Sequence, residues 1–146
     1  MKTLTIISLL FFAMIFTNCD ETKKVIDLAG TVQLSGNYIV TEIGMSAVDP
    51  NSMTFSLAAL DKTINGNTGC NSFFGNYTLD MYALGFGDFA VTERYCDEPV
   101  MIAERDYLKA LGESGSYTLQ NNILTLYSKL DRSVLLKAQK ETNQGN

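Results

Sequence analysis

The stretch Gly66-Asn67-Thr68-Gly69-Cys70-Asn71-Ser72-Phe73-Phe74-Gly75-Asn76-Tyr77 decides the fold of this chain. Its second half continues to Leu79 and alternates: Phe73, Tyr77 and Leu79 share one face, while Phe74, Asn76 and Thr78 share the other. Period-2 alternation of this kind is the pattern of a half-buried strand. Gly75 falls on the apolar face, where a missing side chain predicts that another part of the chain comes close. The first half is turn-forming, with Gly66, Gly69 and two asparagines. Asp61 to Thr68 reads as a polar strand, or as a hairpin turning at Asn65-Gly66.

Short strand signals extend outward in both directions. Upstream lie Tyr38 to Ile43 and Met53 to Leu57, parted by the turn residues Asp49-Pro50-Asn51-Ser52. Downstream lie Leu84 to Phe86 and Phe89 to Thr92. A single helix is predicted over Val100 to Leu111, with Asp97 or Glu98 as its cap, Pro99 in its first turn and Gly112 at its end. Tyr117 to Gln120 and Ile123 to Tyr127 flank Asn121-Asn122, a tight hairpin because asparagine tolerates positive φ. Ser133 to Ala138 is the last strand. About eight strands and one helix at this spacing predict an α+β fold, an antiparallel sheet curled into a roll or partial barrel with one packed helix.

Composition narrows the chemistry. The chain has 146 residues, 46% of them hydrophobic, which suits one domain with a sizeable core. Its net charge of -5 argues against a nucleic-acid partner. Histidine is absent, which removes Ser-His and Cys-His catalytic pairs and His-ligated zinc. The acidic residues Asp61, Asp80, Asp88 and Asp97 lack calcium-loop spacing, and Gly85-Phe86-Gly87 has no following Lys-Ser/Thr to bind phosphate. No metal site and no cofactor are therefore expected.

The N-terminus carries an address. Lys2 precedes an uncharged run from Leu4 to Thr17, too short to span a bilayer and suited to a signal peptide. The run ends at Asn18-Cys19 and gives way at once to Asp20-Glu21-Thr22-Lys23-Lys24, which resembles a bacterial lipobox. The division expected is a lipoprotein signal peptide over 1–18, a tether over 19–34, the domain over 35–139 and a disordered tail over 140–146. Cys19 would carry the lipid, placing the protein in the cell envelope, at the outer membrane, with the membrane as its first partner. The competing reading is an ordinary signal peptide with Cys19 a bystander. The other two cysteines, Cys70 and Cys96, make an even count in an exported domain and are expected to pair; two free buried thiols are the alternative.

The central stretch is similar to the G-x-x-G-C-N-x-F-x-G-x-Y signature of the META domain family, which includes the HslJ-like heat-shock proteins. The likeness continues through Leu84-Gly85-Phe86-Gly87, Thr92 to Cys96, Pro99, Glu104, Tyr107-Leu108 and Leu124 to Tyr127. Tyr38 stands where the family commonly has Trp, and Glu93-Arg94-Tyr95 replaces a basic-Met-Ala segment. The resemblance implies a small α+β domain on secreted or lipid-anchored proteins, with heat or antibiotic stress as its setting and without an established enzymatic activity.

One carboxylate stands out. On a helical projection, Glu104 falls within the arc of Val100, Tyr107, Leu108 and Leu111, whereas Arg105, Asp106 and Lys109 fall opposite. A carboxylate there needs donors, expected to be backbone amides near Gly69–Asn71, or else Thr92 or Arg94. It reads as a structural latch, with a functional carboxylate as the alternative. Asn67 and Asn71 are candidates for a binding loop, although turn chemistry also explains them. Tyr82, Tyr95 or Tyr127, if exposed, would mark a partner surface, although a place in the core is the commoner fate of such aromatics. The function expected is binding or structural, toward an unidentified envelope protein or small ligand. A small-ligand or lipid-binding module is the first alternative, and an enzyme using Glu104 with a neighbouring carboxylate is the second.

Overall fold

The computed structural model describes residues 28–49 and 52–142. The signal peptide, Cys19, the tether as far as residue 27 and the last four residues lie outside the described residues. The chain runs α1 (28–34), β1 (Gly36–Ile43), β2 (Ser46–Ala47), β3 (Thr54–Ala58), β4 (Thr63–Asn67), β5 (Ser72–Asp80), β6 (Ala83–Phe86) and β7 (Ala90–Val91). It continues through α2 (Glu98–Gly112), β8 (Ser114–Gln120), β9 (Ile123–Ser128) and β10 (Val134–Lys140).

All strand pairings among the described residues are antiparallel, in the order β6-β5-β4-β3-β1-β10-β9-β8, with β2 added to β1 and β7 to β5. The sheet curls until β6 and β8 are neighbours. They do not form a ladder: the Tyr117 N–H donates to the Tyr82 carbonyl at 3.4 Å beside the seam. The result is a barrel with one unsealed seam, as the roll or partial barrel expected from the strand spacing.

Burial follows the sequence pattern most closely in β5, where Phe73, Gly75, Tyr77 and Leu79 point inward and their neighbours outward. A Cβ on Gly75 would stand 2.8 Å from the Phe89 ring and 3.1 Å from the Asp88 carbonyl oxygen, which is the close approach that the glycine predicts. Tyr38 stacks on Phe55 with centroids 4.9 Å apart, and Phe73 meets Tyr107 edge to face at 5.7 Å. The Asn121-Asn122 turn has φ of 51° and 62°, the paired positive values of a type I′ hairpin.

Four expectations need correction. Residues 28–34, assigned to a tether, form α1: Thr31 and Leu34 are buried, and the Tyr38 hydroxyl donates to the Leu34 carbonyl at 2.6 Å. The last strand reaches Lys140 rather than fraying before it, because Gln139 pairs with both Ile39 and Ile123, and Tyr38 pairs with Lys140. Of the two readings of Asp61 to Thr68, the strand holds and the hairpin turning at Asn65-Gly66 does not. Both residues lie inside β4, paired to β3 on one side and β5 on the other, and Gly66 is bare because a Cβ would press on the Thr54 carbonyl and the Phe73 ring. Asp97 occupies the cap position of α2 without a side-chain capping bond.

The two helices among the described residues sit at opposite ends of the barrel. Gly30 of α1 faces Leu79 and the Tyr117 hydroxyl, and Lys140 donates to the Gln33 carbonyl at 2.6 Å. At the other end, α2 inserts Tyr107, Ala110 and Leu111, all buried, and the Tyr107 hydroxyl reaches the Thr54 carbonyl at 3.4 Å. That second end gathers the residues singled out in the sequence.

Candidate functional site

Thr68 follows β4 and Asn71 precedes β5, so the short loop they bound is pinned by two paired strands. Thr68 and Asn71 are both buried. The Asn71 N–H donates to the Thr68 hydroxyl oxygen at 2.8 Å, and the Thr68 N–H donates to the Asn71 carbonyl at 2.8 Å. Asn67 tightens the same loop, its side-chain oxygen accepting from the Gly69 N–H at 2.8 Å. Gly69 has φ of +90°, a region in which a side chain would be strained.

Glu104 projects from α2 onto this loop. The Thr68 hydroxyl donates to its Oε2, and the Asn71 Nδ2 donates to its Oε1 at 3.1 Å. The donors are the side chains of Thr68 and Asn71, not the backbone amides near Gly69–Asn71, nor Thr92 or Arg94, and Glu104 is half-buried on the flank of the apolar arc. Asn71 is the centre of the network. Its Oδ1 accepts from the Arg94 N–H at 2.7 Å and the Thr92 hydroxyl at 2.8 Å, while its Nδ2 also donates to the Arg94 carbonyl at 3.2 Å. The Arg94 N–H can only donate, so it fixes which end of the Asn71 amide faces it.

Cys70 and Cys96 are joined in a disulfide with Cα atoms 6.0 Å apart. The bridge lies between the network and the start of α2, so β5, the 92–97 segment and the helix converge on one point. Chemically this is a knot: each oxygen of Glu104 has a donor, and Asn71, 3% exposed, turns its whole side chain inward. Asn67 and Asn71 therefore part company. Asn71 is structural, whereas Asn67 is exposed and lines a cleft.

That cleft has a volume of about 740 Å³. It runs between the β2 arm and α2, with Ile43, Val48, Met53, Val100 and Ala103 as apolar lining and Asp49 and Asp106 at its edge. On the other flank of α2, Glu104 borders a hollow of about 610 Å³ with Tyr95, Met101, Ile102 and Leu108. Tyr82 and Tyr95 are exposed, at 77% and 90%, whereas Tyr127 is half-buried. Sequence reasoning missed Thr68, whose signal was a hydroxyl three residues before a turn asparagine. It missed the cleft because no local pattern marks walls drawn from four separate segments.

Among the described residues no group of three or more His, Cys, Asp or Glu side chains could hold a metal ion. Among them, too, no helix is long and apolar enough to cross a membrane.

A family model described as META domain matches residues 31–141. No curated protein matches the sequence. Three solved structures share the fold. An NMR structure of a protein from Burkholderia xenovorans is 23% identical, with a TM-score of 0.63 over 79% of this chain and 88% of that one. A second NMR structure is 21% identical, with a TM-score of 0.59 over 75% of this chain and 93% of the other. A crystal structure of a DUF4847 family protein from Bacteroides vulgatus is 12% identical, with a TM-score of 0.57, covering 78% of this chain and 99% of that one.

Proposed function

Because the chain belongs to the META domain family, we propose that it is a lipid-anchored protein of the bacterial cell envelope whose single domain binds a partner rather than turning over a substrate. The observation that carries the reading is the Cys70–Cys96 bridge. It is built into the polar network that holds α2 on the barrel, and structural disulfides persist in oxidising compartments outside the cytosol. The lipobox-like border at Cys19 supplies the means of attachment. Glu104 supports the non-catalytic half of the proposal, since both its oxygens are engaged in holding the helix. Support of the envelope under heat or antibiotic stress fits the family resemblance.

Cys19→Ala tests the address. The variant should leave the membrane fraction and lose acyl labelling; equal labelling and equal membrane retention would refute it. The 740 Å³ cleft favours a second reading, a small-ligand or lipid-binding module in the same location.

A further inference from the structure

The cleft between the β2 arm and α2 combines apolar walls with carboxylates. Val48, Met53, Val100 and Ala103 give it apolar walls, and Met53 is buried at 3% exposure. Among the described residues the charged ones lining it are Asp49 and Asp106, both exposed, and neither side-chain carboxylate meets a cation or a donor there, the Asp49 backbone carbonyl alone accepting from Ser52. The cations of α2 stand elsewhere: at about 100° per residue, Arg105 and Lys109 lie on the face turned away from Val100 and Ala103. An anion entering here would meet two carboxylates on a chain of net charge -5. A neutral apolar molecule would leave both carboxylates unpaired.

We propose that the cleft binds a small apolar cation of the alkyl- or arylammonium class. Its hydrocarbon body displaces water from the walls while its charge lies between Asp49 and Asp106. The volume of about 740 Å³ accommodates a molecule of drug size. This deepens the binding reading above and rests on it.

The test uses the mature chain in a non-ionic detergent, with benzyltriethylammonium, benzyl alcohol and benzenesulfonate compared by equilibrium dialysis. The cation should bind about tenfold or more tightly than the neutral alcohol, and the sulfonate should not bind. Added salt should weaken the cation's binding. The Asp49→Asn/Asp106→Asn double variant, two surface changes, should lose about tenfold in affinity with its melting temperature kept. Ala103→Trp should block the cleft, and amide shifts on titration should centre on Val48, Ala103 and Asp106. Equal binding of cation and alcohol, an unaffected double variant, shifts centred elsewhere, or capture of a lysine-bearing peptide without the small cation would each overturn the proposal. Failure here with Cys19→Ala still releasing the chain would remove the cleft's role and leave the address standing.

Discussion

Replacing Glu104 with alanine takes an acceptor from two donors at once, the Thr68 hydroxyl and the Asn71 amide. Hydrogen bonds to a charged group contribute about 1.5–3 kcal/mol each. Here the loss is cushioned, because the Thr68 hydroxyl can turn fully to the Asn71 carbonyl at 3.0 Å and Asn71 Nδ2 keeps the Arg94 carbonyl at 3.2 Å. Glu104 is also half-buried, so water reaches part of the site. About 2 kcal/mol for the pair is therefore the expected destabilisation. For the roughly 110 residues of the matched domain, an unfolding entropy of about 2.1 cal/mol/K per residue converts this to a fall of about 8–10 °C in Tm. Glu104→Gln keeps an oxygen for Asn71 and should lose about half as much. Arg105→Ala, one residue on and exposed, should stay within about 0.5 kcal/mol of the parent. Calorimetry on the oxidised proteins measures all three. A Glu104→Ala variant that melts with the parent would refute the latch, and a Gln variant as damaged as Ala would refute the stated role of the acceptor oxygen.

Three further outcomes follow from the same contacts. Cys70→Ser/Cys96→Ser should lose roughly 3.5 kcal/mol in a denaturant titration, the chain-entropy value for a loop of this separation, and no loss would mean that the bridge does not restrain the unfolded chain. Gly66→Ala should destabilise by about 1–3 kcal/mol, since its Cβ would come within 2.6 Å of the Phe73 ring; an unchanged Tm would show that β3 and β5 can part at no cost. Burial raises the phenols of Tyr38, Tyr77, Tyr107 and Tyr117 above their ordinary value of 10.0. Stability from this source is whole below pH 10 and falls above it, because the unfolded chain releases protons that the folded chain retains. Absorbance near 295 nm should show these tyrosines titrating together with unfolding, and a separate titration ahead of unfolding would contradict their burial.

The parts legible in the sequence are those whose signal is local and whose structure is imposed by that signal. The β5 alternation, the Asn121-Asn122 turn and the Pro99-to-Gly112 helix are of this kind. Where local and tertiary preferences disagree, the sheet wins: Asn65-Gly66 has turn chemistry, but two neighbouring strands hold it extended. The 28–34 segment, with its glycine and β-branched residues, has weak helical propensity, and it is helical because Leu34 is buried at the barrel end. The two-residue strand β2 gives no periodic signal, whereas β7 lies within the strand read at Phe89 to Thr92. Glu104 was legible because an acidic residue on an apolar arc is conspicuous. Its partners were legible only as a neighbourhood, and whether they are amides or side chains depends on the loop conformation set by Asn67 and Gly69.

The position of β1 gives the barrel a mechanical axis. The strand continues directly from α1, carries β3 on one side and β10 on the other, and ends beside the cleft. A pull between α1 and the far end of β1 loads the strand lengthwise, over about 26 Å. Tension then runs across both flanking ladders in shear, where many hydrogen bonds must fail together, rather than peeling them one at a time. The strand that receives the pull is an inner one, locked at the α1 end by the Tyr38 and Lys140 bonds to the helix carbonyls. A domain so wired resists a lengthwise pull on β1 better than a pull on a strand at the end of the sheet such as β8.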